Sequence, residues 1–315
     1  MSKPYVLRKV LKIHVSFQSG TQPGNGSGSL FNPFHQFLMK ASALLLSSAL
    51  LLGLAACDTA KQQTESAATQ STIETVTTGP STASMEKNGI RLTPFNDSPR
   101  YPEAQMQLKT PAPNSTSPSG AVAFDYDITN FQLTKMTGGM HAGEMANSEK
   151  GQHIHNIVDN EPYTAHYTTE FTKNIADGQH VVLSFLSRSY HESLKHRGAY
   201  DLRVINVGQA APQPRNFDVK GQHLFYSRPK DTYSGNDTKR VMLDFYLVNT
   251  TLTPEGNKVR ATINGTEFVL EQWAPYMMEG LPTGQNTVKL ELIDNSGNLI
   301  PGPFNSVTRT FTLQP

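Results

Sequence analysis

Cysteine is almost missing from this chain of 315 residues, Cys57 being the only one. No disulfide can form within the chain and no thiolate metal centre can be built, so stability must come from burial. Long apolar runs are missing too: the stretch from Ala41 to Leu54 stops short of the roughly 20 residues that a bilayer span requires. Charge of one sign is absent, with 27 basic against 26 acidic residues and a formal charge of +1. Without a basic stripe there is no electrostatic footprint for nucleic acid. Phosphate-cradling glycine loops, nucleotide motifs and paired catalytic carboxylates are also lacking, which leaves little support for an enzyme. Ser189, His191 and Glu192 supply the residue types of a hydrolase triad, but they crowd one loop, where neighbours do not readily adopt the nucleophile, base and orienter geometry. The chain therefore reads as non-catalytic.

What is present begins with Leu54-Ala55-Ala56-Cys57, which closes the apolar run and has the form of a lipobox. Met39 and Lys40 supply the basic start, Ala41 to Leu54 the apolar core, and the small residues the cleavage site of a secretory signal over 39–56. The mature protein is expected to begin at Cys57, with a diacylglycerol on the thiol and an acyl chain on the freed amine giving two-chain anchoring. Residues 1–38 then read as a leader outside the protein, Met39 being the expected start, and the address is the bacterial cell envelope, the outer membrane favoured. From 57 to 88 the chain is rich in Thr, Ser, Gln and Ala without aromatics, the composition of a flexible tether.

Beyond the tether the chain repeats itself. Phe124-Asp125-Tyr126-Asp127 returns as Leu243-Asp244-Phe245-Tyr246, and Gly151-Gln152-His153-Ile154-His155 as Gly256-Asn257-Lys258-Val259-Arg260. Later landmarks keep step, Tyr163 with Phe268, Phe171 with Tyr276 and Gly178-Gln179 with Gly284-Gln285. Each copy spans about 100 residues, a normal size for a sandwich. Strands are expected at 121–133, 153–158, 163–167, 180–186 and 200–207, with positive-φ turns at Asp159-Asn160 and Asn264-Gly265. Helical periodicity is absent. The expectation is an all-β chain of two tandem immunoglobulin-like β-sandwiches, 89–208 and 209–315, with one merged double sandwich as the alternative.

Overlaying the copies shows where the first departs from a plain scaffold. Lys258, Arg260 and Thr262 alternate with Val259, Ala261 and Ile263, a half-buried strand, and His153 and His155 fall on the polar face, which predicts that they meet solvent. Histidines at i and i+2 on one strand face can chelate a metal. Where the second copy has Thr253-Pro254-Glu255, the first inserts 135–150, carrying Met136, Met140, His141 and Met145. The turn Asp294-Asn295-Ser296-Gly297 corresponds to Arg188-Ser189-Tyr190-His191, followed by Glu192. In immunoglobulin order these are the B–C and F–G loops at one end of a sandwich, so His141, His153, His155 and His191 are expected to converge, with Met140 and Met145 nearby and Arg188, Tyr190 and Glu192 on the ligand or partner loop. Imidazoles with thioethers suit copper, and histidines alone suit zinc or nickel. The bland alternative is a flexible surface loop with histidines as polar spacers. His166, His180, His196 and His223 need no role.

Val181, Leu183 and Phe185 stand where the second copy has Thr287, Lys289 and Glu291. A strand apolar on both faces implies a cover: the other domain, which the short linker through Pro212 and Pro214 favours, the long insertion, or an envelope protein partner. If a partner, the chain would be a structural or interaction lipoprotein using the first sandwich as a docking surface, without metal.

The run Gly151-x-His153-x-His155 leading into Asp159-Asn160, with Phe185 to Leu194 downstream and Gly302-Pro303-Phe304-Asn305 near the end, resembles a family of bacterial envelope lipoproteins. The resemblance covers most of the mature chain and implies location and tandem immunoglobulin-like architecture, with no catalytic residues to carry over. More loosely, the chain is similar to small periplasmic copper carriers that use Met and His on sandwich loops, although the spacing of Met140, Met145, His153 and His155 departs from their motif.

Overall fold

A computed structural model describes residues 83–209 and 217–314. The signal segment, lipobox and nearly all of the tether lie outside these residues, as does the linker around Pro212 and Pro214. Among the described residues there are strands, turns and three short 3-10 segments but no α-helix, and no helix is long and apolar enough to cross a membrane.

A short hairpin comes first, β1 (Met85–Lys87) and β2 (Ile90–Pro94). The first copy follows as β3 (Gln105–Thr110), β4 (Thr116–Ser117), β5 (Gly120–Thr129), β6 (His153–Val158), β7 (Thr164–His166), β8 (Glu170–Ile175), β9 (Gly178–Ser187) and β10 (Tyr200–Val207). The second repeats the series as β11 (His223–Arg228), β12 (Thr232–Ser234), β13 (Val241–Val248), β14 (Lys258–Ile263), β15 (Thr266–Leu270), β16 (Tyr276–Glu279), β17 (Gly284–Ile293) and β18 (Ser306–Gln314).

Each copy is a two-sheet sandwich with the same strand order. In the first, β3-β5-β8 faces β4-β10-β9-β6-β7; in the second, β11-β13-β16 faces β12-β18-β17-β14-β15. In immunoglobulin lettering these are A-B-E and A′-G-F-C-C′ sheets, the short A′ strand pairing parallel to G in both copies. The repeat register read from the sequence holds in the ladders, since Phe124 pairs with Phe171 where Leu243 pairs with Tyr276. Asp159 and Asn160 take φ of 55° and 57°, and Asn264 and Gly265 take 47° and 82°, as their turns require.

The sequence boundary at 89 shifts. The hairpin β1-β2, turning on Asn88-Gly89, ladders through β2 onto β16 and so extends the A-B-E sheet of the second sandwich. Gly280, with φ of 78°, ends β16 directly against the carbonyl of Gly89, where a Cβ would clash. Backbone paired in the second copy thus precedes the first copy in the chain, and the end of the expected tether is strand.

Three apolar layers result. Val122, Phe124 and Tyr126 of β5 meet Val182 and Leu186 of β9 inside the first sandwich, while Leu243, Phe245 and Leu247 of β13 meet Val259, Ala261, Val288 and Leu290 inside the second. The third layer lies between the sandwiches. The outer face of β9, Val181, Leu183 and Phe185, packs with Ile157 and Val204 against Phe225, Tyr246, Val248 and Phe304 of the second copy, Phe185 stacking on Tyr246 at 4.7 Å. Eight consecutive residues of β9 are buried, whereas β17 alternates buried and half-buried for most of its length. The first copy's apolar outer face is therefore spent on the second copy, and Val181, Leu183 and Phe185 are not free to dock an envelope partner.

Polar bonds fix the angle of this contact. Asn160 Oδ1 accepts the Tyr226 amide at 2.9 Å, and the buried Asp244 carboxylate accepts the Ser193 amide at 3.2 Å and pairs with Lys195. Leu183→Ala is expected to cost about 2–5 kcal/mol, the range for emptying a packed site. Lys289→Ala at the matching position of the second copy, where the side chain forms only a surface pair with Glu291, is expected to cost under about 1 kcal/mol. Denaturant midpoints of the two variants check the contrast; equal losses would mean that the outer face of β9 is not a packed layer.

Candidate metal centre

His153 and His155 project from β6 on the face that the second sandwich covers. Both are fully buried, so the expectation of solvent-facing histidines is overturned: the polar face of a strand in the second copy becomes an interface in the first. The third histidine arrives from the F–G turn. Arg188 N donates to Glu192 O at 2.9 Å and His191 N to Arg188 O at 2.9 Å, and His191 takes φ of 65°, which turns it back over β6. The turn is held by the Arg188–Glu192 ion pair at 2.9 Å, by Arg188 Nη2 donating to Pro99 O at 2.6 Å, and by Tyr190 Oη donating to Ser98 Oγ at 2.8 Å. Arg188, Tyr190 and Glu192 are thus buried scaffold for the loop. Arg188 and Glu192 also line a smaller cleft of about 370 Å³ with Arg100, Tyr101 and Lys195, apart from the three histidines.

The ligand atoms of His153, His155 and His191 all lie within 4.8 Å of one another. His153 Nδ1 is 2.8 Å from the Gly151 carbonyl and must donate to it, which leaves Nε2 as a bare lone pair. That lone pair faces His155 Nε2 at 2.8 Å, and His191 Nδ1 is 3.4 Å from the same His155 nitrogen. Two nitrogens bound at 2.0–2.1 Å to a tetrahedral ion stand about 3.4 Å apart, so of the three pairs His155–His191 already has that spacing, His153–His155 must open by about 0.6 Å, and His153–His191, within 4.8 Å, must adjust with them. A metal-ligating histidine characteristically gives its second N–H to a backbone carbonyl, as His153 does. His155 Nδ1, by contrast, is buried with no partner.

Tyr163 closes the site. Its ring stacks on His155 at 3.6 Å between centroids, and its hydroxyl lies 3.2 Å from His191 Nδ1, donating to that nitrogen when it is bare. Burial holds all three imidazoles neutral. It lowers His153 to about 4, and it pushes His155 and His191 further down, assisted by the Arg228 cation and the neighbouring histidines. His191 and Tyr163 border a cleft of about 550 Å³ between the sandwiches, lined on the other side by Arg228, Lys230, Thr232 and Tyr233. Tyr163, Arg228 and Lys230 were not singled out in the sequence as site residues, and only their position across the interface reveals them.

The other expected ligands do not join. His141 is paired with Asp97 at 3.3 Å and Glu144 at 3.0 Å. Met140 is 85% exposed, and Met145 packs with Phe95, Tyr190, Met242 and Met277. The insertion carrying them is bound to the F–G turn through reciprocal Thr137 and Ser189 hydrogen bonds at 3.2 and 3.0 Å, and to the second sandwich through an Arg240–Glu144 pair at 2.6 Å. It acts as a brace beside the site and contributes no thioether. Ser189, His191 and Glu192 likewise have separate partners, Asn147, Tyr163 and Arg188. His166 stacks on Phe171, His180 bonds Asp159 and the Ala176 carbonyl, and His223 bonds the Asp218 carbonyl. A larger cleft of about 640 Å³ beside His196, Tyr200 and Trp273 contains none of the three clustered histidines.

No protein-family model matches the chain, and no curated protein matches it. Among solved structures, the fibronectin(III)-like modules of CbhA from Clostridium thermocellum are similar at 8% identity and a TM-score of 0.24, over 67% of this chain and 94% of that one. The two tandem V-type regions of the chitin-binding protein VCBP3 match at 8% identity and a TM-score of 0.20, over 67% of this chain and 100% of that one. The glucan-utilization protein SGBP-B of Bacteroides ovatus, solved with a mixed-linkage heptasaccharide, matches at 10% identity and 0.20, over 66% of this chain and 47% of that one. The tandem immunoglobulin-like assignment stands on the strand order of the two copies.

Neutral buried imidazoles make the metal-free fold sensitive to acid. An unfolded histidine titrates near 6.5, so below that pH the unfolded chain takes up protons that the folded chain refuses, and stability falls as pH falls. With His153 held near 4, each such histidine costs about 2 kcal/mol between pH 8 and pH 5. Denaturant melts in chelator at those two pH values are expected to show this loss, and His155→Gln to reduce it by about the same amount.

Proposed function

We propose that this chain is a non-catalytic binding protein of the bacterial cell envelope that holds a late first-row divalent ion, Cu²⁺ or Zn²⁺, on His153, His155 and His191. The convergence of three neutral imidazole nitrogens within 4.8 Å, drawn from a strand and a separate loop, carries this reading. Such nitrogens suit zinc and copper, whereas the hard ions that prefer oxygen find no carboxylate among the three. With no thioether in the set, the preference for a Met-rich copper carrier is lost, and zinc and cupric copper stand equal. Three protein ligands leave a position open to solvent or to a small molecule. One ligand, His155, keeps an unpartnered Nδ1 that must carry a proton when Nε2 binds the ion. That costs on the order of 1–3 kcal/mol and predicts an affinity below that of a fully supported site.

The test is uptake by the full chain. A free ion held a hundredfold above its Kd stabilises the folded state by about 2.7 kcal/mol, a rise of roughly 5–10 °C in melting temperature for a body of this size. His153→Ala with His155→Ala is expected to abolish the rise, and so is His191→Ala, which leaves β6 untouched. An ion-independent melting temperature in the parent chain would sink the metal reading. The anchor is tested separately, on the strength of Leu54-Ala55-Ala56-Cys57: Cys57→Ser is expected to move the protein from the membrane to the soluble fraction.

A further inference from the structure

The charge around the three histidines is wrong for a divalent cation alone. Arg228 closes β11 and is 5% exposed; among the described residues its guanidinium makes no ion pair, and the buried Asp244 that faces it across the ladder acts on its charge while pairing with Lys195. Nη1 donates to the Tyr190 carbonyl at 2.9 Å, the residue next to His191, and Nη2 donates to Tyr233 Oη at 3.0 Å. Its Nε–H is buried with no partner. Lys230 follows two residues later, its ammonium 4.7 Å above the Tyr163 ring and ion-paired with the largely exposed Asp231 carboxylate. A divalent ion on three neutral imidazoles would add two positive charges beside a guanidinium that is already buried and unpaired, an arrangement that costs several kcal/mol unless a negative charge accompanies it.

We infer that the ion is taken up together with a small carboxylate-type anion, which enters the cleft between the sandwiches, fills the ion's open position and is held by Arg228, with Lys230 exchanging its exposed Asp231 partner for it. This rests on the metal reading above and deepens it. The cleft, of about 550 Å³, admits a small oxyanion with room to spare, and its lining joins His191 and Tyr163 on one side to Arg228, Lys230 and Thr232 on the other, with the carboxylates Asp231 and Asp237 also on its wall. A guanidinium presents paired N–H groups that match a carboxylate, and Arg228 has an unused one. Tyr163 completes the set. Its hydroxyl donates to His191 Nδ1 in the metal-free protein; once that nitrogen binds the ion, the O–H is released and can donate to the anion on it. The first sandwich thus supplies the ion's ligands and the second supplies the anion's, so the ligand binds only where the two copies meet.

Azide is the probe, because it is a small anion whose bond to Cu²⁺ gives a charge-transfer band. The full chain is loaded with Cu²⁺ and titrated with azide, and formate and phosphate then compete as the carboxylate and phosphate arms. The expected result is saturable azide binding that formate displaces at least fivefold more effectively than phosphate, and copper affinity that rises with azide by the same factor as azide affinity rises with copper. Arg228→Gln is expected to weaken azide at least fivefold while raising copper affinity in the absence of anion, since it removes a repelling charge; loss of fold alone would lower both. If Arg228→Gln does not fold, Lys230→Gln reads the same effect at about threefold. Copper uptake with azide binding indifferent to both substitutions overturns this inference and leaves the metal reading standing. Preferred displacement by phosphate overturns the carboxylate assignment. Failure to take up copper or zinc overturns both.

Discussion

The outer face of β9 lying flat on the second sandwich is the contact on which the rest of the structure depends. It removes Val181, Leu183 and Phe185 from water, and in doing so it carries His153 and His155, one strand away on the same face, into an environment without solvent. Imidazoles placed there stay neutral and keep their lone pairs, which is the state a metal needs and the state that acid opposes. In the second copy the equivalent face meets water, and the same positions are Lys258 and Arg260. The difference between scaffold and site is thus a difference of cover rather than of fold.

The hairpin β1-β2 and the insertion between β5 and β6 serve the same contact from its edges. Pairing of β2 with β16 places backbone preceding the first copy onto the second, so the two sandwiches are joined by more than the linker. The insertion grips the F–G turn through Thr137 and Ser189 and reaches Arg240 with Glu144. Both devices limit the freedom of the loop that carries His191. A site whose ligands come from a strand and a loop needs such bracing, because an ångström of drift in one ligand changes the coordination geometry.

The site also has an unusual electrostatic balance. Buried cations normally find a carboxylate, as Lys195 finds Asp244 and Arg188 finds Glu192 a short distance away. Arg228 instead spends its donors on a carbonyl and a phenol, and one N–H on nothing. A buried guanidinium left in this state is expensive, and its persistence beside three neutral imidazoles is what gives the cleft its preference for an anion.

Sequence alone determined the class of fold and its duplication, because strand alternation and positive-φ turns are local properties written in neighbouring residues. His153–Val158 and Tyr200–Val207 were legible to the residue, and the B–C and F–G loops followed from the repeat. The β1-β2 hairpin carried a readable local signal in Asn88-Gly89, but its partner β16 lies far along the chain and left no trace there. For the site, the two strand histidines and His191 were visible as departures of one copy from the other, whereas His141, Met140 and Met145 looked equivalent and are not, since proximity in a loop does not fix where a side chain points. Which face was covered, and by what, only the tertiary structure decided. Burial of His153 and His155, the stacking of Tyr163 and the approach of Arg228 all arise where the copies meet, and a contact between distant segments depends on shape and charge that no local pattern records.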